Sequence, residues 1–315
     1  MQPKYASLIE STQAFKSLMR DMESDRLSHA YLFVSPDVTA VDTLTDMFLA
    51  RKVEKELGAA KVNAVFAHTM GDIIHLPLEG DKVRVADIAH LTDTAYYTPT
   101  ELKRKFYVIS HGETMNEPSQ NKLLKTLEEP PEVTGIIIKA TTSSKLLPTV
   151  LSRCRVVPIE PFTTDSLMDA LGEYYRGESL RFAAESCRGL LTRAEEILSS
   201  PLYAKLYELS LDTLTKLSSS GGIAEYAAKL NDYRENLTDI IDFIELLLRD
   251  AMRFHAGAAS DEHAALVAER FSVNAILKET DVLARARRRL EGNGNVTAVI
   301  DEMLFSMLEV RAKWK

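Results

Sequence analysis

The sequence predicts an α/β domain with a mostly parallel sheet, followed by a region built only from helices. In the first half of the 315-residue chain, short contiguous apolar runs alternate with helical patterns. Strand-like runs stop near residue 160, and helical periodicity continues to the C-terminus. Glycine and proline are scarce, at 13 and 11 residues, which favours helices over turn-rich β architecture.

A helix, a strand and a second helix are the first predicted elements. Ser11 and Thr12 are capping residues, and the apolar spacing behind them predicts a helix to about Met22. The compact run Ala30-Tyr31-Leu32-Phe33-Val34 predicts a strand, and a helix is expected over 41–57.

The next apolar runs predict a hairpin. Residues 72–76 and 82–85 each have strand character, and Glu79-Gly80-Asp81 lies between them as a turn. A helix is expected over 87–97.

Two later runs predict buried parallel strands. The apolar residues of 106–109 and 135–140 are contiguous rather than alternating, as strands covered on both faces require. The helix between them, over 118–129, stops at Pro130-Pro131. Repeated strand-helix units of this kind imply a mostly parallel sheet that ends near Ile159.

We predict three parts along the chain: an α/β domain over 1–160, a small three-helix unit over 161–210 and an all-helical domain over 211–315. Helices are expected over 164–175 and 178–187 and from Thr192 onward.

Composition excludes several classes of protein. With 45% hydrophobic and 27% charged residues the chain is not disordered. The net charge of −8, from 38 basic and 46 acidic residues, does not fit an autonomous DNA-binding body. Cys154 and Cys187 are too few for a disulfide framework or a four-thiolate zinc site, and the seven histidines lack metal-ligand spacing. Without a signal peptide or a spanning apolar run, the sequence predicts a cytoplasmic protein with no membrane contact.

Two linked motifs carry a family resemblance. Lys122-Leu123-Leu124-Lys125-Thr126-Leu127-Glu128-Glu129-Pro130-Pro131 and Lys145-Leu146-Leu147-Pro148-Thr149-Val150-Leu151-Ser152-Arg153-Cys154-Arg155 closely resemble the AAA+ subunits of the bacterial DNA polymerase III clamp loader. Ser28-His29-Ala30-Tyr31-Leu32-Phe33 extends the likeness over most of 20–160. The resemblance implies a Rossmann-like AAA+ domain, a helical lid and a C-terminal collar domain through which subunits oligomerise.

The family's phosphate loop is degenerate in this sequence. Such a loop needs glycines, a lysine for the β and γ phosphates and a hydroxyl for magnesium. Val41 stands at the lysine position and Asp42 at the hydroxyl position, while Ser35, Val38 and Ala40 replace the glycines. We therefore expect no ATP binding in cis. The loop consists of Ser35, Pro36, Asp37, Val38, Thr39, Ala40, Val41 and Asp42.

The magnesium site is degenerate as well. Ser110, His111 and Glu113 follow the strand over 106–109, where the family has an Asp-Glu pair. A register change could bring Glu113 into use, but two losses in one site argue against hydrolysis. No catalytic residue in cis, no resident metal and no other cofactor are expected.

Arg153, in the motif Ser152-Arg153-Cys154, is the candidate functional residue. The resemblance implies a trans-acting arginine finger, which stabilises charge on the γ-phosphoryl group in a neighbour's active site. The alternative is a local ion pair that stabilises only this chain. Arg155 is the weaker candidate, and Cys154 is interpreted as a small buried hydrophobic residue.

Other polar residues have weaker cases. Thr141, Thr142 and Arg193 match nucleotide-sensing positions of the family and would be vestigial without a nucleotide. The run Arg285-Ala286-Arg287-Arg288-Arg289 is either a solvated helix face or a contact with DNA or a subunit.

Within the family, a lost nucleotide site beside a retained Ser-Arg-Cys motif resembles the non-hydrolysing subunit, a stator. This implies as partners an ATPase subunit of gamma/tau type and a clamp-opening subunit of delta type, with the sliding clamp and primed DNA contacted indirectly. Two alternatives stay open: a gamma/tau-like ATPase with a non-standard nucleotide site, and an AAA+-derived scaffold outside replication.

Overall fold

The computed structural model describes residues 3–176, 178–258, 262–292 and 294–314. The chain divides into two compact units, Met1–Ala194 and Glu195–Lys315.

The first unit is built on a five-stranded sheet in the order β2-β3-β4-β1-β5, and every neighbouring pair is parallel. The predicted α/β class with a parallel sheet is confirmed. The strands are β1 Ala30–Val34, β2 Ile73–Leu76, β3 Lys105–Ile109, β4 Thr134–Ala140 and β5 Arg155–Pro158.

Ten α-helices of the described chain surround the sheet or follow it. Several begin at the capping residues that the sequence offers; the Thr12 hydroxyl, for example, accepts a hydrogen bond from the Phe15 amide at 3.1 Å. The helices are α1 Ala6–Ser11, α2 Gln13–Glu23, α3 Val38–Leu57, α4 Val62–Phe66, α5 Val85–Thr94, α6 Glu117–Glu128, α7 Pro148–Leu151, α8 Thr164–Leu171, α9 Glu178–Ser186 and α10 Leu191–Ser199.

Apolar side chains cover both faces of the sheet. Phe33 of β1 packs in one cluster with Phe48 of α3, and Leu32 packs in the other with Leu123 of α6. Successive side chains of a strand point to opposite faces, so a strand covered twice must be apolar at every position. This is why the strand runs are contiguous in the sequence.

The predicted hairpin is wrong. Residues 73–76 form the edge strand β2, which is parallel to β3, whereas Val85 begins helix α5. The Asp87 carboxylate accepts a hydrogen bond from the Arg84 amide at 2.7 Å and so fixes the start of this helix. Val83 is apolar because it packs into the core, where it is 3% exposed.

Every element described in the second unit is a helix, which confirms the predicted all-helical C-terminal region. The predicted boundary at 210/211 falls inside the continuous helix α11, and the three-part division remains a prediction. These helices are α11 Pro201–Lys216, α12 Ser220–Asp232, α13 Leu237–His255, α14 Glu262–Ala268, α15 Val273–Glu291 and α16 Val296–Lys313. Across the described ranges, no helix combines the length and apolarity needed to cross a bilayer.

Candidate functional site

A cavity of about 100 Å³ opens at the carboxyl end of the parallel sheet, beside β1, β3 and β4. Ligands of parallel α/β folds bind at this edge. The cavity brings together residues from the loops predicted as degenerate phosphate and magnesium sites. Its lining residues are Ser35, Val38, Val41, Asp42, Ser110, His111, Glu113, Lys139, Ala140 and Thr141.

Hydrogen bonds within the protein hold the loop over 35–42. Asp37 is the N-cap of α3, because its Oδ1 accepts a hydrogen bond from the Ala40 amide at 3.1 Å. The Thr39 amide donates to Oγ1 of Thr192, 2.8 Å away. Backbone amides are the groups with which a phosphate loop binds its ligand, and two of them are engaged here by side chains of the chain itself.

The positions predicted for the phosphate lysine and the magnesium hydroxyl carry an apolar residue and an acid. Val41 borders the cavity but is 3% exposed and packs mainly in the core. Asp42 is half exposed, and its Oδ1 lies 2.6 Å from Nζ of Lys139. An anion at this place would meet a carboxylate instead of an available ammonium group.

Lys139 is a site residue that sequence reasoning missed. It lies near the end of the buried strand β4, and only 15% of its side chain is exposed. Its signal was a charged residue at the end of an otherwise uncharged strand run, Gly135-Ile136-Ile137-Ile138-Lys139-Ala140. A buried lysine needs a partner, and Asp42 supplies it.

A histidine pair lies close to this ion pair. The rings of His68 and His75 stack with their centroids 4.2 Å apart, and Nε2 of His68 lies 3.5 Å from Oδ1 of Asp46. Burial, followed by the charges of His68 and Lys139, lowers the pKa of His75 to about 4. Burial also raises the pKa of Asp46, against the opposing charge of His68.

In the loop after β3, the Glu113 carboxylate is hydrogen-bonded within the protein. Oε2 of Glu113 accepts a hydrogen bond from the Thr141 amide at 3.1 Å, and its Oε1 lies 4.0 Å from Nδ1 of His111. A Cβ at Gly112 would lie 2.5 Å from Cγ2 of Ile138, so the close approach of this loop to β4 requires glycine. Over the described ranges, no three His, Cys, Asp or Glu side chains are arranged to hold a metal ion.

The three predicted sensor residues are not brought together. Thr141 borders the cavity, whereas the Thr142 hydroxyl shares a hydrogen bond with Ser144 at 3.0 Å. Arg193 is half-buried and its charge acts on Cys187, outside the set of residues that line the cavity.

Arg153 lies at the surface, with 33% of its side chain exposed. Its Nη2 is 2.8 Å from Oε1 of Glu128, and its Nη1 donates to the Thr149 carbonyl at 2.9 Å. The Glu128 side chain is 50% exposed, and an ion pair this accessible contributes about 1 kcal/mol or less. A local carboxylate therefore pairs with Arg153, but at the surface and weakly.

The neighbours of Arg153 have structural roles. Arg155 pairs with Asp21 of α2. Cys154 is buried, and burial raises the pKa of its thiol to about 12, so the thiol is protonated at neutral pH. Its interpretation as a small hydrophobic residue agrees with this environment.

The basic run over 285–289 is divided between the interior and the surface. Nη2 of Arg287 lies 2.7 Å from both Oδ1 of Asp242 and Oε2 of Glu245, and Arg289 pairs with Glu302. Arg285 and Arg288 are exposed. Part of the run therefore stabilises the helical unit.

Comparison with known proteins agrees with the motifs. A family profile described as "DNA polymerase III, delta subunit" matches residues 10–163, which hold both the cavity and Arg153. The DNA polymerase III subunit delta' of Bacillus subtilis is 23% identical over 319 residues, which cover 94% of this chain and 96% of that protein. The chain is similar to subunits of the bacterial DNA polymerase III clamp loader. The resemblance inferred from its two linked motifs is confirmed.

The match to delta' spans nearly the whole of both proteins, whereas other relatives match in part. The tau subunit of B. subtilis is 23% identical over 264 residues, which cover 78% of this chain and 46% of that protein. The tau subunit of Escherichia coli is 25% identical over 200 residues, covering 61% and 31% respectively. Among solved structures, a gamma-subunit-related protein of Thermotoga maritima has a TM-score of 0.44 and 20% identity, covering 95% of this chain and 100% of that one. The B. subtilis clamp loader delta protein has a TM-score of 0.36 and 11% identity, covering 94% and 99% respectively.

Proposed function

We propose that this chain is the delta'-type, non-hydrolysing subunit of a DNA polymerase III clamp loader. It works as a stator that binds no ATP itself and supplies Arg153 to the nucleotide site of a neighbouring ATPase subunit. The match of residues 10–163 to the family profile and the full-length similarity to a delta' subunit support this assignment.

The contents of the cavity carry the proposal. In place of a lysine that reaches the phosphates and a hydroxyl that holds magnesium, this chain has Val41 and Asp42, and the cation nearest to them, Lys139, is paired with Asp42. The Glu113 carboxylate accepts a backbone hydrogen bond. The phosphate lysine and the magnesium hydroxyl are thus replaced, and the lysine and the carboxylate that are present are engaged within the protein, which supports a chain without ATP binding in cis.

The setting of Arg153 supports a trans-acting role. Its guanidinium is accessible to solvent and its present partners are a half-exposed carboxylate and a carbonyl of α7. Arginine presents a planar fork of donors that is always charged, so it can exchange Glu128 for phosphate oxygens of a neighbour at little cost.

The proposal implies partners of two kinds. An ATPase subunit of gamma/tau type would receive Arg153, and a clamp-opening subunit of delta type would bind another surface. The sliding clamp and primed DNA would then be contacted mainly through these partners. The net charge of −8 fits this role, because a negatively charged chain does not attract DNA by itself.

Replacement of Arg153 by Ala in a reconstituted clamp loader tests the proposal. Arginine fingers contribute about 10³- to 10⁵-fold to phosphoryl transfer, so hydrolysis at the neighbouring site should fall by about 10³-fold or more in a single turnover. The control is Arg155→Ala, which lies two residues away and also loses an ion pair. Native mass measurement establishes that both variants assemble. An Arg153→Ala complex that assembles and hydrolyses ATP at the wild-type rate contradicts the proposal.

A further inference from the structure

The Asp37 carboxylate joins two parts of the first unit that are far apart in sequence. Asp37 is 2% exposed. Its Oδ2 accepts a hydrogen bond from the Leu191 amide at 2.5 Å. Its Oδ1 accepts from the Thr192 amide at 3.1 Å, from the Thr192 hydroxyl at 2.8 Å and from the Ala40 amide at 3.1 Å.

Each of these donors belongs to the first turn of a helix. Ala40 lies in the first turn of α3, and Leu191 and Thr192 begin α10. The amides at a helix N-terminus are unsatisfied and carry partial positive charge, so two such ends converging on one point form a strong anion environment. In this protein the anion is a side chain of the loop over 35–42.

Helix capping alone does not explain this arrangement. An N-cap carboxylate needs only an amide of its own helix, here that of Ala40. The other three hydrogen bonds of Asp37 reach residues more than 150 positions away. Asp87 gives a comparison within the same unit: it is also buried, but it accepts from the amides of Arg84 and Leu78, both within nine residues.

We propose that Asp37 is a built-in anion. Its carboxylate occupies the position between the loop and the start of α10 that a ligand phosphate would take, excludes such ligands and keeps the two segments joined without nucleotide. Thr192 completes this link, because its hydroxyl oxygen also accepts the Thr39 amide at 2.8 Å. The inference concerns the chain alone and does not depend on a role in clamp loading.

Hydrogen exchange of the full-length Asp37→Ala protein tests the inference. Loss of a charge-assisted hydrogen bond costs about 1.5–3 kcal/mol, so exchange of the Leu191 and Thr192 amides should accelerate about tenfold or more. Millimolar inorganic phosphate should reverse this acceleration in the variant and leave the wild type unchanged. Phosphate replaces the lost carboxylate in the variant but finds no place in the wild type.

Asp87→Ala is the matched control, since it removes a buried capping aspartate elsewhere in the same unit. Its exchange should accelerate near Leu78 and Arg84, remain unchanged at Leu191 and Thr192, and not respond to phosphate. Asp37→Ser, which keeps an N-cap for α3 but removes the carboxylate, serves if the Ala variant does not fold. Unchanged exchange at 191–192 in the Asp37 variants would overturn the inference. Acceleration that phosphate does not reverse would also overturn it, because Asp37 would then be a structural cap only.

Discussion

Nζ of Lys139 and Oδ1 of Asp42 lie 2.6 Å apart at the cavity. Asp42 is at the position predicted for a magnesium-binding hydroxyl, and Lys139 comes from strand β4 rather than from the loop over 35–42. The ammonium group beside the loop over 35–42 is therefore balanced by a carboxylate of the same protein.

The two partners of this ion pair are unequally buried, and we expect their substitutions to differ in cost. Asp42→Asn leaves the ammonium of Lys139, 15% exposed, without its countercharge and should lower the free energy of unfolding by about 2 kcal/mol. Lys139→Met leaves Asp42 at 52% exposure, where water solvates it, and should cost less than about 1 kcal/mol. Urea unfolding measures both, and equal losses would contradict this assignment of burial.

His75 makes stability depend on pH. Its pKa is lowered from 6.5 to about 4, mainly by burial, so the fold favours the neutral ring. As pH falls from 6.5 towards 4, the unfolded chain takes up a proton that the folded chain does not, and stability is lost. Relative to His75→Gln, the wild type should lose about 2 kcal/mol across this window.

The His75 prediction is read from the difference between wild type and variant at each pH, measured by urea unfolding. Titration of carboxylates elsewhere in the protein cancels in this difference. Parallel stability curves for the two proteins between pH 6.5 and 4 would show that His75 is not held in its neutral form.

Arg153 should be dispensable for folding. Its ion pair with Glu128 is exposed on both sides, so Arg153→Ala and Glu128→Gln should each change the free energy of unfolding by less than about 1 kcal/mol. Thermal and urea unfolding of the isolated chain test this. A loss of several kcal/mol in either variant would indicate that Arg153 stabilises its own chain.

The helical C-terminal unit contains a buried ion pair, and we expect its loss to lower stability strongly, unlike loss of the exposed pair of Arg153. Nε of Arg311 lies 3.0 Å from Oε1 of Glu279, which is fully buried, and burial raises the pKa of Glu279 to about 7. Arg311→Met should cost about 3–5 kcal/mol, because it isolates a buried acid and frees the Leu217 carbonyl. Glu279→Leu combined with Arg311→Met should regain most of that loss in urea unfolding. A double variant as unstable as Arg311→Met would contradict this explanation.

The three inner strands, β1, β3 and β4, could be predicted from sequence because each contains a contiguous apolar run, as strands covered on both faces require. The hairpin prediction failed because the apolar residues over 82–85 have the alternating pattern of a short strand. In the structure Val83 packs into the core from a turn, and Val85 begins a helix. The decisive signal was Asp87. Its carboxylate accepts a hydrogen bond from the amide of Arg84, three residues earlier, and so caps the helix.

Sequence reasoning could place residues at the cavity only where they lie in a motif of the resembled family. The loop over 35–42 and residues 110–113 could be located by their distance from predicted strands, and most of them meet at the cavity. The link between Asp37 and Thr192 crosses more than 150 residues, and such a contact has no local pattern in a single sequence. Lys139 had a local signal, but its pairing with Asp42 had none, because the two residues are far apart in the sequence.

Titration of the purified chain with Mg-ATP by isothermal calorimetry tests most directly whether the cavity is a nucleotide site that no longer works. We expect no saturable heat at micromolar to millimolar nucleotide, since the Thr39 and Ala40 amides, Lys139 and Glu113 are already engaged within the protein. Binding of one ATP per chain at micromolar affinity would contradict it and would favour a gamma/tau-like ATPase with a non-standard site.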